Sequence, residues 1–189
     1  MAQTSIKEKL AFGFPGEPGN GQPWVADAVI AAAEVTFGTA AGRKSDGTVG
    51  PYGSTYSTYI GLFVGPHEHV RQVLPTDSRS IAVPAGETVA VACKGSWFIN
   101  LPAGAQTGAT TDGTNITWTT NAKVGDKVYV TSAGAITFDS TSNTEIGEVL
   151  DIEVSDNAVG TISGAGTTES PYVVTVTTEA KGGVLIRLK

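Results

Sequence analysis

Charge is scarce in this chain of 189 residues: Asp, Glu, Lys and Arg together make up only 16% of it, well under the roughly 25% of an ordinary soluble domain. A helical bundle dresses its faces with Leu, Glu, Lys and Arg, so this composition disfavours one. Cysteine occurs once, at Cys93, which excludes an internal disulfide and a fold stapled for an oxidising compartment. Basic residues number 12 against 18 acidic ones, for a formal charge of -6 and a pI near 4.8. Affinity for a phosphate backbone comes from clustered Lys and Arg, and no such cluster exists, so nucleic acid is not an expected partner. There is no run of 18 apolar residues, and Met1 to Leu10 carries Lys7, Glu8 and Lys9 in place of an apolar signal core. The expectation is a soluble chain, made and folded in a cytoplasm, with no membrane partner.

What fills the sequence is Gly, Thr, Ser and Ala around a 40% hydrophobic content, which suits short strands joined by tight turns. Runs with strand character are Thr58 to Val64, Ser80 to Val83, Thr88 to Cys93, Ser96 to Leu101, Lys127 to Val130, Ala135 to Phe138, Glu145 to Val154, Tyr172 to Thr177 and Val184 to Leu188. Pro84-Ala85-Gly86, Asp112-Gly113, Ser132-Ala133-Gly134 and Gly182-Gly183 read as the turns between them. Ala26 to Val35 fits two helical turns or a strand, because Ala favours helix while Val29, Ile30 and Val35 favour sheet. Two stretches, 85–91 and 124–130, share a glycine, an acid, one polar residue and then alternating apolar positions, 39 residues apart. The expected fold is all-β: a barrel or sandwich of short antiparallel strands over residues 25–189. A Gly/Ser/Thr-rich loop and added strand at about 160–178 should project from it.

Ahead of that domain, residues 1–24 read as an extended N-terminal arm. Residues 11–24 are dense in Gly and Pro, with Phe12, Phe14 and Trp24 among them, a composition that favours turns over a regular ladder. Disordered linkers are poor in large apolar side chains, and an exposed Phe or Trp forgoes roughly 2 kcal/mol of burial. The arm is therefore read as packing on a neighbouring subunit or, almost equally, on its own domain, with Phe12, Phe14, Pro15, Pro18 and Trp24 as the residues of a capsid or subunit contact. Trp97 joins them, because Trp97 and Phe98 are adjacent on a strand and one of the two rings must face out.

Reactive chemistry is hard to find. His67 and His69 flank Glu68, and on a strand both rings would share a face, yet no further ligands complete a metal site. Gly13-Phe14-Pro15-Gly16 is a poor phosphate cradle, since prolines remove the N–H groups that would bind the anion. Asp151 and Glu153 share a strand face with no sign of a cleft around them, and Cys93 fits a small core residue on an alternating strand. No catalytic residue, cofactor or metal is assigned, and the chain is read as a non-enzyme.

Several segments also follow a familiar order: Val35 to Ala40, Tyr59 to Phe63, Val83 to Trp97, Val124 to Val130 with Gly134 to Thr137, and Val184 to Leu188. In this order they resemble the structural cement, or decoration, proteins of tailed-bacteriophage capsids. Glu87 stands where that family usually has Asp, Lys94 to Ala122 is long and polar, and 160–178 has no evident counterpart. The resemblance implies a β-rich virion protein, synthesised in the bacterial host cytoplasm, that binds the capsid exterior. Its implied partners are the major capsid protein and further copies of itself, as a dimer or trimer, stabilising contacts between capsomers. The composition also fits another virion β module, such as a head-fibre base, tail or receptor-binding component. A carbohydrate-binding module with Trp24, Trp97 and Trp118 as stacking platforms, or a hydrolase using His67 or His69, are the further alternatives.

Overall fold

The computed structural model describes residues 15–19, 25–65, 81–102, 105–154, 159–178 and 182–189. Among them there is no helix. The strands are β1 (Val25–Ile30), β2 (Val35–Thr36), β3 (Ala40–Arg43), β4 (Val49–Pro51), β5 (Thr58–Val64), β6 (Ala82–Val83), β7 (Thr88–Asn100), β8 (Gln106–Thr111), β9 (Ile116–Thr120), β10 (Lys127–Val130), β11 (Ile136–Thr137), β12 (Thr144–Val154), β13 (Val159–Ser163), β14 (Val173–Thr178) and β15 (Gly182–Leu188). Nine of them form one antiparallel sheet in the order β11-β10-β12-β15-β7-β5-β3-β4, with β1 paired to β7. That sheet curls into a half-barrel. The all-β expectation is met, and the Ala-rich run at 26–35 holds strand in place of helix: Val25 to Ile30 pair with Lys94 to Thr88, and a bend at 32–33 separates them from β2.

Period-two alternation builds two cores on opposite faces of the same strands. On β5, Leu62 and Val64 enter one cluster and Phe63 the other; on β3, Ala40 and Ala41 divide likewise; on β7, Ala92 opposes Val89 and Val91. The larger cluster adds Trp97, Ile99, Val128, Val130, Ile146, Val149, Val184, Ile186 and Leu188 from the other half of the sheet. The smaller one adds Ala31, Val35, Phe37 and Val49. Val49 also bridges to Ala31, and Ala32 N–H donates to its carbonyl at 2.8 Å. This joins β4 back to the end of β1, so β1, β7, β5, β3 and β4 ring the smaller cluster.

The long strand β7 carries the design. Its first half pairs with β1 on one flank and β5 on the other; its second half pairs with β15. Its remaining flank is taken by residues 15–19. Gly16 N–H donates to Phe98 O (2.7 Å), Phe98 N–H to Glu17 O (3.0 Å) and Gly19 N–H to Ser96 O (2.6 Å). Gly16 O in turn accepts from Gly65 N–H at 3.3 Å, just past β5. Phe63 pairs with Val91, which a straight strand would hold roughly 23 Å from Phe98. One residue, Gly16, reaches both ends, so β7 must turn between them. The turn lies where β7 has an extra residue, Cys93, between the partners of Ala26 and Val25, and where Gly95 adopts φ +106°. Bulges and positive-φ glycines are how strands turn corners between sheets.

This corner merges two strands expected separately, 88–93 and 96–101, into one. It also places Cys93 outside: the thiol is exposed instead of core, because the extra residue is pushed out of the alternation. Gly182-Gly183, expected as a turn, belongs to β15, where these residues pair with Val154 and Glu153, and Gly183 also with Asn100.

Candidate contact surfaces

The arm residues divide. Phe12, Phe14 and Trp24 lie outside the described residues, as do His67, Glu68 and His69. Pro15 and Pro18 are described, and they belong to a segment docked on this chain's own domain. Pro15 is buried and Pro18 partly so, the latter bridging Trp97. Residues 15–19 do make a short ladder, because the N–H groups it requires are those of Gly16 and Gly19, while the prolines occupy positions that donate nothing. Close approach demands the glycines. A Cβ on Gly16 would stand 2.7 Å from Phe37 Cβ, and one on Gly19 would stand 2.6 Å from Leu185 Cδ1. Glu17 is buried here, at 7% exposure, a residue to which the sequence drew no attention.

Trp97, expected as a contact residue, is a core residue at 2% exposure. Its indole N–H is satisfied inside the fold, donating to Lys94 O at 3.0 Å across the β7 corner. The extra residue at Cys93 resets the alternation, so the larger ring turns inward and Phe98 is left only partly buried. This removes Trp97 from any trio of carbohydrate-stacking platforms.

Among the described residues, the ionisable groups do not converge on a reaction centre. Asp112 is held down to about 2 by the backbone N–H groups of Asn115 and Thr114 and the Asn115 side-chain amide, all in its own turn. Asp46 and Asp139 are lowered in the same way, by Thr48 and Thr141. Glu148 is lowered by Lys127, 2.7 Å away, with Arg187 at 3.4 Å, and Lys189 meets Glu145 at 3.4 Å on the same outer face of β10, β12 and β15. Asp151 accepts from Ile152 N–H at 2.9 Å. Among the described residues no group of three or more His, Cys, Asp or Glu is placed to hold a metal, and no helix is long and apolar enough to cross a membrane. A shallow groove of about 580 Å³ lies between Ala33, Pro51, Ser54, Tyr56, Ser132 and Ala133. Its lining offers hydroxyls and methyls and no acid–base pair.

Surface features are better developed. Strands β7 and β12 end, and β15 begins, at one margin of the sheet, where Val154 pairs with Gly182 and Asn100 with Gly183. From this margin leave two hairpins outside the main sheet, β8–β9 and β13–β14. The second spans 159–178, and the first comes from the long polar stretch after Lys94, where composition gives little strand signal. They touch, β14 lying against β8. Of the large apolar side chains that stay exposed, Tyr172 and Val173 are on this pair, Val25 and Ile30 are at the two ends of β1, and Val124 precedes β10.

The described residues of this all-β chain present edges, hairpins and anchored segments as contact surfaces, and their perturbed carboxylates are tied up in turns and ion pairs. The family model for structural cement proteins (E217 gp24/Pam3 gp6) matches residues 2–189. No curated protein and no solved structure matches the chain. The chain belongs to the phage structural cement protein family, and as such is a structural component of the virion that binds capsid components.

Proposed function

We propose that this protein decorates the outer surface of the phage head as a homo-oligomer, a dimer or trimer, and stabilises contacts between capsomers by binding the major capsid protein. The observation that carries the reading is the family match along residues 2–189 of a chain built as β surfaces. In this role it needs no catalysis, cofactor, nucleic acid or membrane. A lattice of identical sites rewards an oligomer, since each further contact forms at high effective concentration and need not be tight alone.

The N-terminal arm supplies the capsid contact, with Phe12, Phe14 and Trp24 as its apolar anchors. Support comes from the docking of residues 15–19: Pro15 packs against Gly38, and Gly16, Glu17 and Gly19 bond to β7, which gives the arm a fixed point of attachment. Pro15 and Pro18 are then anchors of the tether rather than capsid contacts. The test is a chain lacking residues 1–14, which keeps the docked segment. Its circular-dichroism spectrum should match the full chain while co-sedimentation with purified undecorated heads is lost. Undiminished co-sedimentation would refute the arm as the capsid contact.

A further inference from the structure

Charge almost vanishes from the paired hairpins. Residues 106–120 and 159–178 hold two carboxylates, Asp112 and Glu169, and no Lys, Arg or His, although the chain has 18 acidic and 12 basic residues. Asp112 is occupied by its own turn, accepting from Asn115 N–H at 2.7 Å, Thr114 N–H at 2.8 Å and Asn115 Nδ2 at 3.1 Å. Among its described side chains the pair shows solvent Val173, 52% exposed, and Tyr172, 41% exposed, beside threonine hydroxyls, Asp112 and Glu169.

This surface is held together. The Tyr172 ring lies over the tip of the other hairpin, where a Cβ on Gly113 would come within 2.5 Å of Cζ. It also lies against its own loop, where a Cβ on Gly166 would come within 2.6 Å of Cε2. Two glycines thus clasp one aromatic ring, and the two hairpins share an anchor.

We infer, building on the homo-oligomer reading above, that this double-hairpin face is where the chain meets a second copy of itself. Each copy carries a formal charge of -6, so two copies repel unless their carboxylates stay away from the contact. Meeting through residues 106–120 and 159–178 leaves all but two of the 18 acidic residues outside it. In an isologous contact the same patch faces itself, so a charged patch opposes its own sign. One whose only charged groups are Asp112 and Glu169, with an aromatic and a β-branched anchor beside them, keeps that conflict small. The ionic face of Lys127, Glu148, Arg187, Glu145 and Lys189 has its opposite charges already paired within the chain.

Sedimentation equilibrium of the full chain tests this, using Val173→Asp and Thr175→Lys on the face and Val124→Asp as a control on another exposed apolar residue. The wild type should be oligomeric, and its association should hold or strengthen as salt is raised from about 0.05 to 0.5 M, because salt screens only the repulsion. Each face variant should associate at least about tenfold more weakly, since each must bury an unpaired charge in the contact, while Val124→Asp behaves as wild type. All three positions are exposed, so unchanged melting should accompany the loss. Face variants as oligomeric as the wild type would overturn the inference and leave the homo-oligomer reading intact. So would variants that stay oligomeric yet no longer bind heads, which would give the face to the capsid. A monomeric wild type would overturn the homo-oligomer reading itself.

Discussion

Pro15 packs against Gly38 so closely that a Cβ on Gly38 would stand 2.6 Å from the Cβ of Pro15. Gly38 also adopts φ +77°, where an L side chain is strained. Gly38→Ala should therefore both strain the backbone and lift residues 15–19 from β7, at a cost of about 1–3 kcal/mol. A urea titration would show a lower midpoint with little change in slope. An unmoved midpoint would mean that residues 15–19 are not docked as described.

Trp97 is expected to matter for stability and not for recognition. Replacing a fully buried Trp with Ala opens a cavity and should destabilise by about 3–5 kcal/mol. Trp97→Phe keeps most of the packing but leaves Lys94 O without the indole donor, at a cost of about 1–3 kcal/mol. Thermal melts of both variants give the order wild type, Phe, Ala. If Trp97→Ala melts with the wild type, the ring is not in the core.

The contrast between these residues marks how much of the molecule can be read from its residues. Strands β5 and β10 match the expected runs because alternation is clean and positive-φ glycines, such as Gly86, Gly125 and Gly134, punctuate the turns. Strand β3, Ala-Ala-Gly-Arg, has no β-branched residue and becomes a strand only because β4 and β5 flank it. Strands β8 and β9 are hidden in the sequence because Thr and Gly weaken the apolar signal. Alternation says that Trp97 and Phe98 face opposite ways, but the choice between them is set at Cys93, where one extra residue reverses the phase. Pro-Gly-Glu-Pro-Gly at 15–19 looks incapable of a ladder until β7 is beside it, since its usable donors are the glycine N–H groups. The family is legible in the order of short Gly/Val motifs, while the expected contact residues Phe12, Phe14 and Trp24 lie outside the described residues.

The turn between β8 and β9 should respond to acid at an unusually low pH. The amides of Asn115 and Thr114 bond the ionised form of Asp112 and hold it down to about 2, against about 3.9 for a free Asp. A folded-state value below the unfolded one means that the carboxylate's contribution is complete above the unfolded value. It is lost as pH falls through the folded one. The amide resonances of Thr114 and Asn115 should therefore hold steady from neutral pH to about 4 and titrate with a midpoint near 2, and Asp112→Ala should abolish the transition. A midpoint near 4 would show that the turn does not hold the carboxylate.

Tyr59 offers the opposite case, a polar group buried without a partner. Its ring meets Tyr52 edge-on with centroids 5.8 Å apart and packs against the larger core, and its hydroxyl is buried with no hydrogen bond among the described residues. Leaving a hydroxyl unpaired away from water opposes folding, so Tyr59→Phe removes a penalty and keeps the packing. The variant should be as stable as the wild type or more so, by about 1 kcal/mol. Alkaline pH supplies a second readout, because burial pushes the phenol's ionisation upward. A group whose folded-state value is raised supports the fold fully below its unfolded value, near 10 for Tyr, and that support is lost as pH rises toward the folded one. The unfolded chain can ionise at Tyr59 while the folded chain cannot, so above about pH 10 the wild type should lose stability that Tyr59→Phe retains. Urea midpoints for both proteins, compared at neutral pH and above pH 10, check the two effects together. A Phe variant less stable at neutral pH would show that the hydroxyl has a partner.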